Sequence, residues 1–130
     1  MRAFLDTNVL LYLLSGDDAK ANRAEQVVAG GGIISVQVLN EFTSVATQKL
    51  VMSIDEVMDV LSVVRRACKV VSLTAESHDV ACTLVRKYGY HIYDASILAT
   101  ALLSGCDLIY SEDMQDGQLI DGKLAINNPF

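Results

Sequence analysis

Cysteine is scarce and scattered. Cys68, Cys82 and Cys106 form no CxxC pair, which excludes a disulfide framework and a thiolate zinc site. Each reads as a small core residue in a reducing compartment. The two histidines, His78 and His91, lie too far apart to show metal-ligand spacing. Proline occurs once, at Pro129, and glycine clusters only at Gly30-Gly31-Gly32. A membrane span needs roughly 20 apolar residues, and the uncharged stretch from Ala95 to Cys106 is about a dozen. The opening Met1-Arg2-Ala3-Phe4-Leu5-Asp6 turns acidic too early for a signal peptide. A soluble, cytoplasmic protein with no membrane partner is expected. A basic excess is missing too, since the net charge is −6. Phosphate binding usually leaves a basic footprint, so a nucleic-acid partner is excluded unless the acids are gathered around a cation. Where they sit therefore matters more than their total.

What is present is core. The 130 residues are 52% hydrophobic, enough for one domain spanning 1–130 and too few for a second. Short apolar runs predict buried strands at Ala3-Phe4-Leu5, Ile33-Ile34, Val70-Val71, Leu108-Ile109-Tyr110 and Leu124-Ala125-Ile126. Helical periodicity fills the intervals, roughly Asn8–Leu14, Asp18–Ala29, Val36–Leu50, Ile54–Cys68, Ala75–Tyr88 and Ile92–Leu103. Ser35, Ser53 (with Glu56 three residues on) and Thr74 are placed to cap helix N-termini. Strands alternating with helices mean an α/β fold, a parallel sheet with helices on both faces. In such sheets ligands bind beyond the carboxyl ends of the strands, near the switch in strand order.

Acids occupy those places. Asp6 ends the first strand and opens Asp6-Thr7-Asn8, where it can also cap the next helix. Glu41 lies in the helix after the second strand, at the edge of the apolar arc of Val38, Phe42 and Val45. Asp94 is the only charge between Ile92 and Cys106, and its helical wheel sets it among Ile97, Leu98 and Ala101. A buried carboxylate there needs a partner, yet no lysine or arginine lies within five residues. After the fourth strand comes Ser111-Glu112-Asp113-Met114-Gln115-Asp116-Gly117, three acids and a hydroxyl in one turn. Crowded carboxylates without basic neighbours imply a hard, oxygen-seeking cation, Mg²⁺ or Mn²⁺. Such ions acidify bound water and stabilise an oxyanion leaving group, which points to phosphoryl hydrolysis.

Leu5-Asp6-Thr7-Asn8, Asn40-Glu41-Phe42, the run from Tyr93-Asp94 to Ala101, and Tyr110-Ser111-Glu112-Asp113 together resemble the PIN domain, most of all VapC-like toxins of toxin–antitoxin pairs. The resemblance covers essentially the whole chain. It implies a parallel sheet of about five strands, an Mg²⁺- or Mn²⁺-dependent endoribonuclease acting on RNA, a cognate antitoxin as partner, and a homodimer. Its metal-holding and catalytic acids fall on Asp6, Glu41, Asp94 and Asp113, with Asn8 and Ser111 as polar helpers. Many members carry an aromatic residue in the turn after the last acid, where this chain has Met114-Gln115-Asp116-Gly117. Glu112 and Asp116 therefore stand as alternatives to Asp113 or additions to it. The resemblance also places an antitoxin groove between the early helices, near Tyr12, Leu13 and Leu14.

Two rival readings stand beside this one. A haloacid-dehalogenase-like phosphatase also opens with an Asp after its first strand. It needs a second Asp where this chain has Asn8, and a lysine between Lys87 and Lys123, where none occurs. A non-catalytic, metal-binding module acting through a protein partner would have to tolerate the same carboxylate crowding. Arg65-Arg66, Lys69 and Arg86-Lys87 could follow an RNA backbone, or be solvated helix ends. Gly30-Gly31-Gly32 precedes a strand instead of a helix, so it reads as a helix-ending turn and not a phosphate loop.

Overall fold

A computed structural model describes residues 2–130. Strand β1 (Ala3–Leu5) leads into α1 (Thr7–Leu11), which a 3₁₀ turn over Tyr12–Leu14 extends, and then into α2 (Asp18–Ala29). Next come β2 (Gly32–Ser35), α3 (Val36–Gln48), α4 (Ile54–Ala67) and β3 (Cys68–Val71). The chain continues with α5 (Ala75–Tyr88), α6 (Ile92–Leu103), β4 (Leu108–Tyr110), β5 (Leu119–Ile120) and β6 (Leu124–Asn127). The sheet order is β3-β2-β1-β4-β6-β5. All neighbours are parallel except β5 and β6, which form an antiparallel hairpin.

The five strands expected from apolar runs are the five parallel ones. The sixth, β5, is two residues long, too short for a hydrophobic pattern to mark. Its turn was written in the sequence, however, as Asp121-Gly122. Both residues take positive φ, 51° and 67°, as a tight hairpin turn demands.

The helix ends follow their caps. Ser35 Oγ accepts from the Val38 amide, and Ser53 and Glu56 form a reciprocal capping box. Thr74 pairs with Ser77 in the same way. Gly30 ends α2, and Gly31 (φ 78°) turns the chain into β2. The glycine run is thus the helix-ending turn its position suggested. Neighbouring strand residues point to opposite faces. Phe4 and Leu5 are both fully buried, as are Ile34 and Ser35, so helices cover both faces of the sheet centre. No helix among the described residues is long and apolar enough to cross a membrane.

From β1 the chain moves outward to β2 and β3, then returns to lay β4 on the other side of β1. The strand order therefore switches between β1 and β4. Asp6 follows the first of these strands and Ser111 the second.

Candidate active site

Asp6 sits where the β1–β4 ladder runs out. Its amide still donates to the Tyr110 carbonyl at 3.0 Å, while its side chain opens α1. Oδ1 accepts from the Thr7 amide at 2.7 Å. Oδ2 accepts from Ser111 Oγ at 2.7 Å and from Asn8 Nδ2 at 3.2 Å. The residue is both a helix cap and the hub of a polar network, which the sequence had offered as alternatives.

Ser111 is fully buried, and its hydroxyl oxygen accepts from the Asp113 amide (3.2 Å) and the Met114 amide (3.3 Å). That folds the turn after β4 back over Asp6. Asn8 closes the network: Nδ2 also donates to Asp113 Oδ2 at 3.2 Å, and Oδ1 accepts from the Glu112 amide at 3.1 Å. Each end of this amide meets the group it suits, two carboxylates on the donor side and a backbone N–H on the acceptor side.

Glu41 is held separately. Thr7 Oγ1 donates to Oε2 at 2.7 Å, and Gln37 Nε2 donates to Oε1 at 3.0 Å. The same Gln37 nitrogen also reaches the Tyr93 carbonyl at 3.0 Å, tying α3 to the start of α6. The sequence reading passed over Thr7 and Gln37. Gln37 could have been found as the residue one helical turn before Glu41.

Asp94 lies in the first turn of α6, but the cap there is His91, whose Nδ1 accepts from the Tyr93 amide. The helical wheel put Asp94 among core residues. The structure leaves it half-buried at the rim while Ala95 and the run from Ile97 to Ala101 go inside. A residue in the first turn lies near the end of the sheet, where the core gives way to solvent.

Asp6, Glu41, Asp94 and Asp113 line one cavity of 310 Å³ together with Thr7, Asn8, Leu11, Ser44 and Val45; no lysine or arginine borders it. Among the acids of the last turn, the cavity takes Asp113 alone. Glu112 turns away to Lys20 Nζ, 3.4 Å off. Asp116 accepts from the Asn128 amide at 2.8 Å and holds the C-terminal segment.

The electrostatics follow from this placement. Burial pushes the Asp6 carboxyl up to about 6; the Ser111 and Thr7 hydrogen bonds pull it down, and the charges of Asp94 and Asp113 raise it again. Asp94 is also raised, by burial first and then by Asp113 and Glu41, with His91 opposing. Carboxylates that disfavour one another's charge make a site suited to a cation. The donor set, all oxygen, fits a hard divalent ion. Among the described residues, no three acid, histidine or cysteine side chains converge closely enough to form a ready cage.

An open parallel α/β fold with an acidic cleft at its topological switch point defines the class. Residues 3–115 match the family model of the PIN domain, and the chain belongs to that family. Among solved structures, the DNA-bound VapBC of Salmonella typhimurium superposes with a TM-score of 0.73 at 16% identity, over 100% of this chain and 99% of that one. A toxin–antitoxin complex from Klebsiella pneumoniae gives 0.72 at 23% identity, covering 98% of each chain. VapC20 of Mycobacterium tuberculosis, a sarcin–ricin loop cleaving toxin, gives 0.70 at 19%, over 85% of this chain and 89% of that one. At such identities these structures share the fold. A comparison with curated proteins returns no match.

Proposed function

We propose that the protein is an Mg²⁺- or Mn²⁺-dependent endoribonuclease, the toxin of a toxin–antitoxin pair, acting in the cytoplasm as a homodimer. The observation that carries this reading is an acidic cavity to which four separate chain segments each bring one carboxylate, with no lysine or arginine in its lining. Asp6, Glu41, Asp94 and Asp113 would hold the ion. When bound, it would supply Lewis acidity, acidifying a water and neutralising charge on the departing oxyanion. The chain's own part is positioning. Asn8 and Ser111 fix Asp6 and Asp113 relative to each other, while Thr7 and Gln37 fix Glu41. Among the described residues no hydrogen bond restrains the Asp94 carboxylate, and it lines the cavity, so its oxygens would be open to a cation or an attacking water.

The phosphatase reading finds no support in this cavity. Where that chemistry needs an acid, Asn8 is a donor bridging two carboxylates, and no lysine lines the space.

For the antitoxin, an apolar groove of 390 Å³ between α2 and α4 is the natural seat, lined by Leu13, Val28, Val60, Val63 and Val64. Tyr12 and Leu14, grouped with Leu13 in the sequence reading, line a different depression with Leu11, Val45 and Leu50. The antitoxin complexes among the superposable structures support such a partner here.

The test is a cleavage assay on a panel of single-stranded and structured RNAs with Mg²⁺, Mn²⁺ or EDTA. Cleavage that needs metal and is lost in both Asp6→Asn and Asp94→Asn is the expected result. Activity surviving in both variants would refute the site. Failure to cut any RNA, with the toxic effect retained in Asp94→Asn, would favour the non-catalytic binding module.

A further inference from the structure

A second cavity, larger than the acidic one, has the opposite charge. It measures 570 Å³ and lies between α2, the Gly30–Gly32 turn and the sheet. Arg2, Arg23 and Lys69 line it, and no carboxylate does. The chain as a whole has 16 acids against 10 basic residues, so a concave surface bearing three cations and no acid runs against the composition.

Among the described residues, none of these cations takes part in an ion pair. The two side-chain ion pairs among the described residues use Lys20 and Lys87. Each guanidinium in the cavity is held by neutral acceptors instead. Arg2 Nη1 donates to the Ser104 carbonyl at 2.8 Å. Arg23 Nε donates to the Pro129 carbonyl at 2.9 Å, and its Nη1 lies 3.4 Å from Gln26 Oε1. A guanidinium has five N–H donors, so both keep donors to spare while their positions are set. Asp107 accepts from the Arg2 backbone amide at 3.1 Å and does not pair with the guanidinium.

The cavity's shape depends on glycine. A Cβ on Gly32 would stand 2.9 Å from the Ala3 carbonyl oxygen, and Gly32 has φ 153°. Only a residue without a side chain lets β2 begin this close to β1. The glycine run, a plain helix-ending turn in sequence, thus forms one wall of a basic cleft. Beside the cations, Val27, Leu108 and Tyr110 supply an apolar wall.

We propose that this cleft binds a phosphorylated small molecule of nucleotide size, its phosphate held by Arg2, Arg23 and Lys69 and its ring against Tyr110. Pockets for small organic ligands run from about 300 to about 1,000 Å³ and combine an apolar lining with a few placed polar groups. Arginine pairs provide fork-shaped recognition of phosphate oxygens. The proposal does not rest on the nuclease reading, because none of these residues borders the acidic cavity.

Calorimetric titration of the full chain in EDTA with a nucleoside 5′-monophosphate, with inorganic phosphate and with the unphosphorylated nucleoside tests it. Phosphate-bearing ligands should bind one per chain, more weakly as salt rises, and the nucleoside should not bind. Inorganic phosphate binding as tightly as the nucleotide would also support the site and assign its ligand as the free anion. Arg23→Gln and Lys69→Gln should each weaken binding by about tenfold, as expected for loss of a charge-assisted contact. Asp94→Asn and Lys87→Gln should leave it unchanged. The proposal is overturned if neither phosphate ligand binds, or if binding persists in the Arg23→Gln, Lys69→Gln double variant with an unaltered circular dichroism spectrum.

Discussion

In the metal-free protein, Asp6 should make folding weaker as the pH rises. The residue is 4% exposed, and its carboxyl is pushed from an ordinary 3.8 up to about 6, chiefly by burial. Ser111 and Thr7 donate to it without cancelling that cost. A carboxyl that holds its proton more tightly when folded adds stability that is full below pH 3.8 and is lost as the pH climbs through about 6. The difference corresponds to about 3 kcal/mol, which for a domain of this size is on the order of 10 °C in Tm. Urea unfolding in EDTA between pH 4 and pH 8, on wild type and Asp6→Asn, isolates the effect. Relative to the variant, the wild type should lose roughly 2–3 kcal/mol across that range, and Mg²⁺ should return part of it at pH 7. A stability difference that stays flat with pH would refute the reasoning.

Other perturbations have equally definite outcomes. Ser111→Ala removes the hydroxyl that donates to Asp6 at 2.7 Å, so the Asp6 carboxyl should titrate higher still. The acid limb of a pH–activity profile should then move up by about one pH unit or more. Gly32→Ala forces a Cβ against the Ala3 carbonyl oxygen at 2.9 Å; because that atom is backbone, denaturation should show a loss of roughly 1–3 kcal/mol. Val63→Glu places a charge in the apolar groove between α2 and α4, at a position already 56% exposed. Its fold should stand by circular dichroism, while protection by the antitoxin in a growth assay should weaken by at least tenfold.

Strands and helices were legible because their signals are local. Apolar runs such as Leu108-Ile109-Tyr110, and caps such as Ser53 with Glu56, act over a few residues and do not depend on distant chain. The α/β alternation then directed attention to strand ends, and Asp6, Glu41 and Asp94 stood out as acids at or beside apolar segments. What the sequence could not rank was the turn after β4. Glu112, Asp113 and Asp116 are chemically alike, and only the fold-back of that turn onto Ser111 and Asn8 aims Asp113 into the cavity. It sends Glu112 to Lys20 and Asp116 to the Asn128 amide.

The supports of Glu41 show the same division. Thr7 comes from a segment 34 positions earlier, and no periodicity links the two until β1 and β2 lie side by side. The basic cleft is the extreme case, since Arg2, Arg23 and Lys69 are unremarkable one by one and are brought together by the sheet. The sequence by itself determined the elements, their caps and the candidate acids, because propensity and burial are properties of short segments. The tertiary structure alone decided which like-charged groups share a space, because that depends on long-range strand order and on the direction each side chain takes from its backbone.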